Sequence, residues 1–159
     1  MGFLMAPLAV LLVWLGLTQQ AWQLSQAVVG AGAAGKAQTR AAIVGQQTLV
    51  FGAACVQGAL ASPGVVSANL TTTLPAGVTA PVGATCLVAS ATGGGRNIYG
   101  YVPGVAGAAG EITRASNGAY SWYRVQSAGQ ALRLSTGEVL SVPATIPVGA
   151  VLDWVPSAT

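Results

Sequence analysis

The groups able to do chemistry are few in this 159-residue chain. There is no histidine, and Glu111, Glu138 and Asp153 are the only acidic side chains. General acid–base catalysis draws mainly on His, Asp and Glu, and metal sites on His, Cys and carboxylates. A Ser–Lys hydrolase would have to use Lys36, the only lysine, which falls in a segment that reads as a helical stalk. From this inventory we expect no enzyme, no metal site and no cofactor.

Two nucleotide motifs fail on their context. Val28 to Thr39 reads VVGAGAAGKAQT, with a formal GxGxxG at Gly30, Gly32 and Gly35 and a near Walker A match ending at Lys36. A dinucleotide fingerprint needs a preceding strand and an acid about 20 residues further on, but the next acid is Glu111. A phosphate-binding loop needs Ser or Thr after its lysine to hold magnesium, and that position is Ala37. The small residues are better read as a surface on which a helix approaches a neighbouring helix closely. Gly30, Ala33, Ala34, Ala37 and Ala41 are the expected assembly interface.

Two cysteines occur, Cys55 and Cys86. An even pair in an exported domain predicts a disulfide, with a pair of small buried hydrophobes as the alternative. Closing a loop of about 30 residues would constrain the unfolded chain by roughly 3–4 kcal/mol. A bond would also place the region in an oxidising compartment.

The elements that must position these residues follow from hydropathy and punctuation. Gly2 to Leu17 reads GFLMAPLAVLLVWLGL, without a charge. A run of this length is a short membrane span that Thr18 to Leu24 can extend into the interface. With no Lys or Arg before it and no nearby A-x-A site, an uncleaved anchor is expected. Residues 18–61 are proline-free and rich in Ala and Gln. Leu24, Val28, Ile43, Leu49, Val50, Cys55, Val56 and Leu60 follow a helical stripe, ended by Ser62-Pro63-Gly64.

Beyond Val65 the pattern turns to short β-branched and aromatic runs between Gly, Pro, Asn and Ser, the signature of antiparallel strands. Strands are expected at Val65–Thr73, Thr85–Ser90, Asn97–Val102, Ala119–Ser127, Gln130–Leu134, Val139–Val142 and Val151–Val155. The fold class is therefore α+β, a long N-terminal helix packed on a small antiparallel β domain. The segments are 1–24 (transmembrane anchor), 25–61 (helical stalk) and 62–159 (β-rich periplasmic domain).

Charged residues make up 6% of the chain, against roughly 25% in an average soluble protein. The six cations, Lys36, Arg40, Arg96, Arg114, Arg124 and Arg133, are scattered. A nucleic-acid groove needs them clustered, so nucleic acid is not an expected partner. Gly93-Gly94-Gly95-Arg96 is a possible anion nest, for which a flexible hairpin loop is the plainer reading. Tyr120, Trp122 and Tyr123 alternate about one strand, so at least one ring faces outward, as a ligand platform or as a subunit contact.

A hydrophobic N-terminus running into one long helix, a Pro/Gly break and a disulfide-linked β domain together resemble the type IV pilin architecture. Met1-Gly2-Phe3 offers no basic leader, and Pro7 stands where a pilin beginning at Phe3 would carry its glutamate. The layout is more similar to the PilM family of conjugative-plasmid thin-pilus proteins. That resemblance rests on the anchor, the helical run through Phe51 and Cys55, the Leu74-Pro75-Ala76-Gly77 break and the terminal Ile146-Pro147-Val148-Gly149-Ala150-Val151 segment. It implies a structural component of a type IVB pilus or related secretion apparatus, single-pass in the bacterial inner membrane, with its C-terminal domain in the periplasm. Its partners would be membrane lipid and further subunits of a homo- or hetero-oligomer. A pilin-like subunit that itself polymerises and an anchored ligand-binding module are the alternatives.

Overall fold

The computed structural model describes Gln20 and residues 32–118 and 120–158. The expected anchor at 1–24, apart from Gln20, and the start of the stalk, with Val28 and Gly30, lie outside the described residues. The chain divides into two units, 1–40 and 41–159. The described part of the first unit is helical from Ala33, with Thr39 Oγ1 donating to the Gly35 carbonyl at 2.9 Å.

The proline-free Ala/Gln run forms one helix, α1 (Ala33–Ala61). It stops where expected, because Pro63 and the left-handed Gly64 cannot continue it. Among the described residues it alone is long and apolar enough to cross a membrane. Its second half is nevertheless the core helix of the second unit, with Phe51, Cys55 and Ala59 buried.

Among its described residues the second unit also holds six strands and a short helix. They are β1 (Thr85–Ser90), β2 (Arg96–Val102), α2 (Ala108–Ala115), β3 (Trp122–Ser127), β4 (Gln130–Arg133), β5 (Val139–Ser141) and β6 (Val151–Ser157). The strands make one antiparallel sheet in the order β1-β2-β6-β3-β4-β5. Local hairpins build its two flanks, and the last strand is inserted between β2 and β3. The two-residue turn Ala128-Gly129 closes the β3–β4 hairpin, as an Ala-Gly pair between alternating apolar residues suggests.

Because side chains alternate across a strand, the sheet has two distinct faces. Cys86, Gly100, Asp153 and Trp122 are paired in register on the face toward α1. On the opposite face Leu87, Tyr99 and Trp154 form one row, and Tyr101, Leu152, Tyr123 and Arg133 form the next. Val142, Ile146 and Ala150, from the segment between β5 and β6, pack over Tyr123, Val125, Ala131 and Leu152. The sheet is thus buried on both faces over much of its area.

One expectation is corrected. Val65–Thr73 is not a strand. It lies along β1 with one bridge, Ser67 to Val88, and Leu70 N–H donating to the Cys86 carbonyl at 2.7 Å. Residues 116–118 form a turn that closes α2: Ser116 N–H donates to the Ile112 carbonyl, Gly118 N–H donates to the Thr113 carbonyl, and Asn117 is left-handed at φ 51°. The apolar stripe on α1 is covered unevenly: Cys55 is buried and Leu49, Val50 and Val56 are half-buried, while Ile43 and Leu60 are exposed. Phe51 is the large side chain it buries, and beside it run the smaller buried groups Ala41, Gly45, Thr48, Gly52, Cys55 and Ala59. Their four-and-three spacing keeps them on one side of the helix.

Candidate interaction surfaces

Small side chains on α1 set how closely it approaches its neighbours. A Cβ at Gly45 would meet Glu111 Cβ at 3.0 Å, and one at Gly52 would meet Trp122 at 3.0 Å and Asp153 at 3.1 Å. A Cβ at Gly100 would lie 3.1 Å from the Gly52 Cα and 3.2 Å from Cys55 Cβ. Helix and sheet therefore touch backbone to backbone where Gly52 meets Gly100. Cys55 and Cys86 are bonded beside that contact, with Cα atoms 5.5 Å apart. Cys86 is the register partner of Gly100, so the disulfide pins the helix at its point of closest approach.

Arg96 fixes the end of the same helix. Its Nη1 donates to the carbonyls of Ser62 (2.8 Å) and Val65 (3.1 Å), and its Nη2 to that of Ala59 (3.1 Å). No basic residue lies in the last turn of α1, and this buried guanidinium from β2 serves the negative end of the helix instead. The anion-nest reading of Gly93 to Arg96 loses its cation for the same reason.

The expected assembly residues part company. Ala33, Ala34 and Ala37 are exposed on the first turns of α1. Ala41 is only 4% exposed, because Gly107 lies directly over it; a Cβ added there would meet the Ala41 Cβ at 3.0 Å. Ala41 thus packs within its own unit and is not available to a partner. Gly35 and Lys36 are helical, which is not the looped backbone that a phosphate cradle requires. Lys36 is exposed there.

The three acids do not converge. Glu111 pairs with Arg114 and Glu138 with Arg133 near the surface, while Asp153 is buried beneath α1 at 7% exposure. Burial raises the Asp153 carboxyl above its ordinary range, and a hydrogen bond from Ser121 offsets this in part. Its Oδ1 accepts no hydrogen bond from the described residues. Among those residues no three His, Cys, Asp or Glu side chains are grouped to hold a metal ion.

Concave surfaces among the described residues include one of about 300 Å³ bounded by Gly104, Gly107, Arg124 and Gly149, and two larger ones. One, of about 430 Å³, runs between α1 and the segment before β1, lined by Val50, Ala53, Gln57, Leu74 and Pro75. The other, of about 390 Å³, lies on the outer face of the sheet over β3, β4 and β6. Trp154 and Tyr123 line it with ring centroids 5.4 Å apart, and the buried Tyr99, outside the lining, packs on Trp154 at 5.6 Å. Such tilted pairs contribute about 0.5–1.5 kcal/mol each beyond their buried area. Burial holds the Tyr99 phenol above its usual range, so it stays protonated. Trp154 Nε1 donates to Asn97 Oδ1 at 3.1 Å, and Arg133 donates from Nε and Nη2 to the Tyr123 hydroxyl at 3.2 and 3.0 Å. Tyr120 stands at the rim, 68% exposed. Of the three rings singled out in the sequence, it faces solvent while Trp122 and Tyr123 are buried.

No protein-family model matches the chain, and no curated protein or solved structure matches it either.

Proposed function

We propose that the chain is a structural component of a type IVB-like, conjugative thin pilus or related secretion apparatus. In this reading residues 1–24 anchor it in the bacterial inner membrane and the sheet unit stands on the periplasmic side. The observation that carries the proposal is the construction of α1. Its second half is locked into the sheet unit by the Cys55–Cys86 bond and by Arg96. Its first turns lie before that unit begins at Ala41 and present the exposed small residues Ala33, Ala34 and Ala37. A helix of this kind gains stability chiefly by packing, and small side chains permit close helix contacts in or near a membrane. The partners are therefore lipid and the helices of other subunits, and the layout is similar to that of the PilM family.

Deleting the gene in its native host and imaging the cells tests the proposal. Loss of thin pili, restored by the wild-type chain, supports it; a normal complement of pili and secreted substrates overturns it. The second reading, a pilin-like subunit that polymerises, is favoured by the exposed Ile43 and Leu60 beside the apolar groove on α1. Mass spectrometry of the native N-terminus separates the two: cleavage with N-methylation marks a filament subunit, and an intact terminus an assembly component.

A further inference from the structure

The cleft on the outer face of the sheet has no part in the assembly role proposed above. Its volume, about 390 Å³, lies within the range of small-molecule sites, roughly 300–1,000 Å³. Its polar groups narrow what it could hold. Arg133 is committed, with Nη1 on Glu138 at 2.7 Å and Nε and Nη2 on the Tyr123 hydroxyl. An anion would have to displace Glu138, and a cation would meet a guanidinium that is always charged. The cleft is therefore suited to a neutral ligand.

An extended peptide brings a carbonyl at every residue and needs donors to match. The indole N–H, the usual donor in an aromatic groove, is taken by Asn97. What remains is ring surface edged by hydroxyls, with Leu140, Val155 and Pro156 as its aliphatic wall. The Tyr123 hydroxyl accepts twice from Arg133 and keeps its own hydrogen, for which no acceptor exists among the described residues. The Tyr120 phenol at the rim can both donate and accept. A pyranose fits this pattern, since its C–H face packs on an aromatic ring while its equatorial hydroxyls meet groups at the edge. We propose that the cleft binds a neutral saccharide, with one sugar ring stacked on Trp154 and flanked by Tyr120 and the Tyr123 hydroxyl.

The test is calorimetric titration of the full-length chain with maltotriose and chitotriose. The detergent must be sugar-free, because a maltoside would compete. Saturable binding of at least one trisaccharide is expected. Tyr120→Ala should weaken it roughly tenfold, the loss of one hydrogen-bonding rim contact, with the melting temperature unchanged because the ring is exposed. Trp154→Phe, which keeps a ring in the ladder, should weaken it further. Absence of binding by both sugars up to about 10 mM overturns the proposal. So does binding that both variants leave unchanged, or saturation by a decaproline peptide in place of the sugars.

Discussion

Replacing Gly100 by alanine probes the contact on which the fold is built. The new Cβ would stand 3.1 Å from the Gly52 Cα and 3.2 Å from Cys55 Cβ, several tenths of an ångström inside ordinary contact. Neither neighbour is the free end of a flexible side chain: one is helix backbone, and the other is tied to Cys86 on the adjoining strand. Overpacking of this sort costs about 1–3 kcal/mol. Alanine also loses less entropy than glycine on ordering, which returns roughly 0.5–1 kcal/mol. The net loss should be about 1–2 kcal/mol, a fall in Tm of roughly 3–10 °C for a unit of this size. Thermal unfolding followed by circular dichroism measures it in the oxidised and reduced protein. Reduction by itself should cost about 4 kcal/mol from loop entropy. With the bond cut the helix can lift away from the sheet, so the alanine penalty should shrink by half or more in the reduced protein. An oxidised Gly100→Ala protein as stable as the parent would refute the closely pinned helix.

Three further outcomes follow from the same geometry. Asp153→Asn should stabilise the protein at neutral pH: a raised folded-state pKa means that Asp153 contributes its stability only while protonated, below the unfolded carboxylate range, and loses it as pH rises through the folded value. Denaturant titrations across pH should show the Asn advantage vanishing in acid. Arg96→Met should cost about 2–4 kcal/mol, because it removes charge-assisted bonds to the Ala59, Ser62 and Val65 carbonyls at a helix end; a midpoint unchanged in urea would contradict the capping role. Ala34→Leu and Ala37→Leu should impair oligomer recovery from membranes and leave the melting of the sheet unit unaltered, since both positions are exposed and precede that unit.

Much of the fold was legible because its signals are local. The α1 terminus was written in Ser62-Pro63-Gly64, and five of the six strands overlap their expected ranges nearly end to end. β3 begins late, after a turn that holds Tyr120. What escaped depends on contacts distant in sequence. α2 is eight residues long with Gly110 inside it and buries only Ala108 and Ile112, too few to show a period. The pairing of Gly52 with Gly100 cannot be read from either segment alone, because small residues that make the closest helix–sheet contacts carry little hydropathy signal. Arg96 was read with the glycines beside it, whereas its partners lie about 31 to 37 residues away. Tyr120, Trp122 and Tyr123 were visible as a cluster, but the cleft needed Trp154 and Arg133 from other strands to complete it.

The assembly role rests on the first turns of α1 meeting the helices of other subunits, and site-specific photo-crosslinking in native membranes tests that most directly. A benzophenone amino acid at Ala37, irradiated in cells that make pili, should yield covalent adducts with a second copy of this chain or with another envelope subunit, identifiable by mass spectrometry. The same probe at Tyr120, on the unit's outer sheet face, should not form these adducts. Adducts at Ala37 to lipid alone, with the chain otherwise monomeric, would contradict the assembly account.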